Sequence, residues 1–291
     1  MNKNNQEIYT FLNPRDLKEP VLILALDGWI DSSGTAKSAK ESLISKAEVH
    51  TMVQFDTDRL LDHRARRPTL HLNEGVIEDL EWPKIELLDI CGLEGPDFCL
   101  LQGPEPDHDW KIFAEKVTEL CHGLNVSLVV GLGAYPAAVP HTRPTKLSCT
   151  ASSKEMSEKL DFLTASIKVP AGVQAVIETE AALSGIPAIG IWAQIPHYLS
   201  SSPYPPATIA LLDGLEQISG ISNEDFRLNE RALKTKSYLD ELIAGNEEHL
   251  AMLEKLETTY DQINDSNLNF PSGEDLAEEL QDFLRQQEND S

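Results

Sequence analysis

An imidazole, a hydroxyl and a guanidinium occupy successive positions at His141-Thr142-Arg143, between Pro140 and Pro144. Proline fixes φ, so these side chains start from a stiffened backbone. Arg143 is suited to grip a carboxylate or phosphate in a bidentate fork, and His141 to exchange protons near neutral pH. The same groups would serve equally well to satisfy buried carbonyls and carboxylates of their own fold. A second imidazole, His197, follows Pro196 and is followed by Tyr198. The loop Gly103-Pro104-Glu105-Pro106-Asp107 offers two carboxylates, Glu105 and Asp107, for acid–base work or for orienting an imidazole. Its plainer reading is a cap, supplied by Asp107 or Asp109, for the helix that comes next.

Two further segments could take an anion. In Asp27-Gly28-Trp29-Ile30-Asp31-Ser32-Ser33-Gly34 the free amides ahead of a helix would receive one, although Asp27 and Asp31 would repel a phosphate. The alternative is a capped turn with Trp29 packed over it. Asp58-Arg59 and Arg64-Ala65-Arg66-Arg67 form the strongly basic cluster of an acidic chain, which calls for carboxylates within the fold or an anionic ligand outside it. The candidate ligand-binding residues are therefore Asp31, Arg64, Glu105, Asp107, His141, Arg143, His197 and Tyr198.

Other chemistries find no motif. Gly131-Leu132-Gly133-Ala134 begins like a dinucleotide fingerprint, but Tyr135-Pro136 stands where a third glycine and a helix are required. Nucleophile elbow, zincin helix and phosphate-loop patterns do not occur. The four cysteines, Cys91, Cys99, Cys121 and Cys149, lack ligand spacing and read as reduced, mostly buried thiols. No metal site is expected, and no cofactor can be assigned.

These loops must be positioned by the elements between them. Val21 to Leu26, Val126 to Leu132 and Ala188 to Ile195 are continuous apolar runs, the pattern of strands buried on both faces. Helices are expected through Ala36, Ala39 and Leu43, over Trp110 to Leu124, over Val173 to Leu183 and over Pro206 to Ile218. Val49 to Phe55, Thr69 to Leu72, Lys84 to Ile90 and Phe98 to Leu101 read as closely spaced strands, hence an antiparallel portion. The pattern predicts a three-layer α/β/α sandwich over residues 1–220, with a mostly parallel sheet carrying an antiparallel insertion.

After Gly220 the composition shifts. From Ser222 to Ser291 there are 18 Asp and Glu against 6 Lys and Arg, half of the chain's net charge of −24. Apolar residues from Leu239 to Ile263 recur at three- and four-residue steps, interrupted near Gly245-Asn246. A last helix, Glu274 to Gln287 capped by Ser272, completes an acidic helical subdomain, residues 221–291. Its apolar stripe fits packing on its own body, an oligomer interface or a partner protein.

With 41% hydrophobic and 25% charged residues the chain is an ordinary globular one. Its acidity argues against nucleic acid and anionic membrane as partners. The polar N-terminus and the want of a long apolar run point to the cytoplasm.

Taken in order, Gly28-Trp29-Ile30-Asp31, Arg64 to Pro68, Gly103 to Asp107, Pro140-His141-Thr142-Arg143-Pro144 and Pro196-His197-Tyr198 resemble the proteasome assembly chaperone 2 (PAC2) family, in its bacterial branch. The resemblance spans residues 15 to 220. It implies a mixed-sheet fold similar to nucleoside phosphorylases and related hydrolases, a helical C-terminal subdomain and a homo-oligomer, a trimer among the options. Eukaryotic relatives are non-enzymatic scaffolds for proteasome subunits. Two functions are thus in play: an assembly or interaction protein, and an enzyme, a hydrolase or transferase, acting on an anionic or nucleoside-like ligand with Arg143 as anchor.

Overall fold

The computed structural model describes residues 7–28 and 31–265. Trp29, and with it the expected packing over the first turn, falls outside them, as do Ser272 and the helix expected after it.

The run of apolar residues in β2 (Val21–Asp27) is buried because alternate side chains enter two different cores. Val21, Ile23 and Ala25 join Ala36, Ala39 and Leu43 of α1 (Thr35–Ile44) on one face. Leu22 and Leu24 face the other side with β3 (Glu48–Phe55) and the short α2 (Thr57–Leu60). Each such aliphatic side chain contributes about 2 kcal/mol by leaving water.

A hairpin follows, β4 (Thr69–Asn73) and β5 (Val76–Glu81), joined by Glu74 and Gly75 at φ 50° and 82°. Two successive residues at positive φ make the tight turn whose twist matches paired strands. Leu70 pairs with Leu80 and Leu72 with Ile77, so four aliphatic side chains share one face. They stay uncovered, at 41% to 66% exposure.

The chain then lays down β6 (Glu86–Cys91), β7 (Phe98–Pro104), α3 (Trp110–Gly123), β8 (Leu128–Ala137), β9 (Leu147–Ala151), α4 (Lys154–Glu158), α5 (Val173–Leu183), β10 (Ala188–Pro196) and α6 (Pro205–Ser219). With β1 (Tyr9–Phe11) the order across the main sheet is β1-β3-β6-β7-β2-β8-β10-β9. Helices α1 and α6 cover one face, α3 and α5 the other, which is the expected three-layer sandwich.

The sheet is less parallel than expected. Only β7, β2, β8 and β10 run side by side in one direction, while the β1-β3-β6-β7 flank and the β9 edge are antiparallel. The reason is that β9 and β1 were not legible as strands. Each is short, and each lacks the aliphatic run of a central strand.

Gly220 ends α6 at φ 76°, the left-handed cap expected of it. Asp225 then caps α7 (Phe226–Ala244), accepting from the amides of Arg227 at 3.1 Å and Leu228 at 3.4 Å. Leu228 and Leu239 anchor α7 on the α1/α6 face. After Gly245 and Asn246 the chain turns into α8 (Glu247–Asp265), with the break where the sequence places it. All four cysteines are free, three of them buried.

Candidate functional site

The Pro140 to Pro144 turn leaves β8 and the Pro196-His197-Tyr198 turn leaves its parallel neighbour β10, so the two emerge side by side. The Tyr198 hydroxyl meets the His141 amide at 2.9 Å and His141 Nδ1 at 2.8 Å. The other ring nitrogen, Nε2, lies 3.3 Å from Asp240 of α7. Burial pushes the Tyr198 phenol up to about 12 against the opposing pull of the His141 amide, so it stays protonated. His197 is half-buried and stacks edge-on against Tyr198, with ring centroids 5.3 Å apart.

Arg143 does grip carboxylates in a fork, and they belong to its own chain. Nε and Nη2 donate to Asp261 at 2.9 and 2.8 Å, and Nη1 donates to Glu257 at 3.1 Å. The Thr142 hydroxyl donates to Glu257 as well. Tyr260, between these acids on α8, donates to the Pro144 carbonyl at 2.8 Å. Lys146 lies 4.5 Å over its ring. Paired donation holds the Asp261 carboxyl below its ordinary value. Every polar group of the turn that looked reactive is thereby engaged by α7 or α8.

Asp31 stands apart from this cluster. Its carboxylate accepts from the amides of Ala36 at 2.6 Å and Lys37 at 3.0 Å, so it caps α1 across the intervening turn. Burial raises its carboxyl pKa despite those amides. The neighbouring Ser33 ties the turn to β10's exit through the Leu199 and Ser200 carbonyls.

Glu105 caps a helix, though not the one that follows it. Its carboxylate accepts from the Val173 amide at 2.5 Å, at the start of α5. A Cβ on Gly28 would lie 2.7 Å from Glu105, so only glycine admits this approach. Beside them is a cavity of about 40 Å³, lined by Gly28, Glu105, Gly172, Val173, Gln174 and Trp192. That is room for water, far below the volume of a metabolite pocket.

Asp109 stands at the N-cap position of α3 as expected, but neither its side chain nor that of Asp107 caps the helix amides. Asp107 accepts from the Asp62 amide at 2.8 Å and from Arg66, while Asp109 pairs with Arg59 at 2.7 Å. Burial works to raise the Asp107 carboxyl, but these donors outweigh it and hold it low. Half of the basic cluster is thus neutralised internally. Arg64 and Arg67 remain exposed, with no ion pair among the described residues.

The structure therefore joins His141, Arg143, His197 and Tyr198, while Glu105, Asp107 with the basic loop, and Asp31 each bond to other partners. The imidazole of His141 is oriented by Tyr198 and Asp240, where Glu105 or Asp107 had been expected. Glu257 and Asp261 were detectable only as an acidic i,i+4 pair on an amphipathic helix. Their partner was not.

Sequence reading also missed a buried acid. Glu178, on the sheet side of α5, is 9% exposed and accepts from Gln174 Nε2 at 3.0 Å and the Thr150 hydroxyl at 3.3 Å. Trp192 Nε1 in turn donates to Thr150 at 3.2 Å. Burial raises Glu178 to about 7, with both donors pulling the other way. Among the described residues no group of three or more His, Cys, Asp or Glu is placed to hold a metal, and no helix is long and apolar enough to cross a membrane.

Comparison with known proteins places this arrangement. The model of the PAC2 family matches residues 25–243. A protein of unknown function from Corynebacterium glutamicum superposes with a TM-score of 0.83 at 26% identity, over 89% of this chain and 99% of that one. A proteasome-assembly chaperone homologue from Mycobacterium tuberculosis gives 0.74 at 30% identity, over 81% and 99%. A PAC2 family protein from Streptomyces avermitilis gives 0.71 at 32%, over 80% and 99%. None of the curated proteins compared with the chain matches it.

Proposed function

This chain belongs to the PAC2 family, and we propose that it is a non-enzymatic, assembly-chaperone-like protein that works by holding other protein surfaces, copies of itself included. The observation that carries this reading is the uncovered aliphatic face of the β4–β5 hairpin. A two-stranded ribbon is marginal in water by itself, and Leu70, Leu72, Ile77 and Leu80 gain nothing from solvent. The saturated turn around His141 and Arg143 speaks against the hydrolase or transferase alternative.

Within this proposal residues 1–220 form the body and residues 221–291 an acidic arm that offers a second protein-binding surface. Free cysteines suit a reducing cytoplasm. The relative described as a proteasome-assembly chaperone homologue makes unassembled proteasome subunits the partners to try.

The test is native mass spectrometry and sedimentation of the chain, alone and with such subunits, against Leu72→Glu/Ile77→Glu. Both side chains lie on the exposed ribbon, so the fold should survive. Wild type should form complexes that the double variant loses. A wild type that stays a lone monomer under both conditions would overturn the reading.

A further inference from the structure

Among the described residues, Glu178 is a carboxyl group enclosed without a countercharge. Helix α5 packs on β8, on β10 and on α3, and Glu178 reaches Thr150 of β9. The titratable groups of these strands are Tyr135 and Cys149, and β10 has none. Helix α3 carries Lys111, Glu115, Lys116, Glu119, Cys121 and His122, of which Lys116 is bound to Glu119. On α5 itself there is Glu180, and Glu105 stands at its first turn. None of them forms an ion pair or hydrogen bond with Glu178, whose partners are the neutral Gln174 and Thr150.

Space for this carboxyl exists only because the sheet beneath it has glycines. A Cβ on Gly131 would come within 2.3 Å of Glu178 Oε1, and one on Gly190 within 2.8 Å. The acid thus lies over two strands, with 9% of its surface exposed while α5 is docked. An ionised carboxylate held there would lack both solvent and a cation.

We propose that Glu178 is a pH switch: protonated, it seals α5 onto the sheet, and its ionisation loosens the helix together with the Glu105-capped first turn and the cavity beside it. The sign follows from linkage. A carboxyl raised to about 7 in the folded chain from its ordinary 4.5 stabilises the fold fully below 4.5. That contribution is lost as pH rises through 7. Over that window the equilibrium for opening α5 should shift on the order of a hundredfold.

The whole 291-residue chain tests this directly. With ¹³C-labelled glutamate, the carboxyl resonance absent from Glu178→Gln identifies Glu178. It should titrate near pH 7, and amide exchange over residues 172–183 should rise between pH 5 and 8 beyond the intrinsic rate. In Glu178→Gln, a neutral isostere whose amide oxygen can accept from Gln174 while its amide nitrogen donates to the Thr150 hydroxyl in a reversed bond, that rise should vanish. A midpoint at or below 4.5, or α5 exchange that does not depend on pH in the wild type, overturns the switch. The wild-type titration decides the matter even if the variant folds poorly.

Discussion

Two regions of this molecule hold carboxylates in opposite ways. Around Arg143 the acids of α8, Glu257 and Asp261, meet a cation and stay partly exposed, with Asp261 held low by its paired donation, while beneath α5 Glu178 meets only neutral donors, is enclosed and is held high. The first arrangement is charge against charge in a wet setting, where salt screens it and its strength is modest. The second depends on the acid remaining uncharged, which makes it sensitive to pH and indifferent to salt. Residue type alone does not tell the two apart. What differs is whether a guanidinium or a glycine-floored sheet lies opposite.

The largest effect should come from filling the floor under α5. Gly131→Ala puts a methyl 2.1 Å from Gln174 and 2.3 Å from Glu178, and overpacking of this kind should cost about 3 kcal/mol in urea unfolding. If the loss is instead a few tenths, α5 is not pressed against the sheet and the contrast between the regions fails.

Next comes the buried centre of the other region. His141→Ala removes a ring whose side chain is fully enclosed and leaves the Tyr198 hydroxyl only the backbone amide of residue 141, for an expected loss of about 2 kcal/mol by the same measurement. Asp225→Ala removes the α7 cap and its bond from Ser42 at 3.0 Å, worth about 1 kcal/mol. Burial opposes ionisation of Asp225, but Ser42 and the two helix amides prevail and hold its carboxyl below 3.8. Its contribution is therefore present above that value and lost as pH falls through the lower folded one. The variant should show a shallower acid limb.

The smallest effect on global stability, and the sharpest on the comparison, concerns the arm. Raising NaCl to about 0.5 M, where the Debye length shrinks to roughly 4 Å, should speed amide exchange in α8 and leave α5 unchanged. Arg143→Ala should reproduce the α8 effect without salt. Exchange that rises equally in both helices would show that they open as one unit.

Most of the scaffold was legible because its signals are local. Continuous aliphatic runs marked β2, β8 and β10, amphipathic spacing marked α3, α5 and α6, and Gly220 and Gly245 marked where helices end. The β4–β5 hairpin was half seen, since Glu74-Gly75 is a weaker turn signal than Asn-Gly and β5 is rich in acids. The candidate site was legible as a set of residues. Its division into separate clusters was not, because Glu105 finds its partner 68 residues away and Arg143 its partner 118 residues away.

The sequence by itself determined the three-layer class, the acidic composition after Gly220 and the family motifs, all properties of composition and short-range period. Only the tertiary structure decided that Arg143 is spent on Asp261, that Glu105 caps α5 and that Glu178 lies over two glycines. The reason is physical. Whether a charged side chain is reactive, neutralised or uncharged depends on the dielectric and the partners that surround it, and distant parts of the chain supply both.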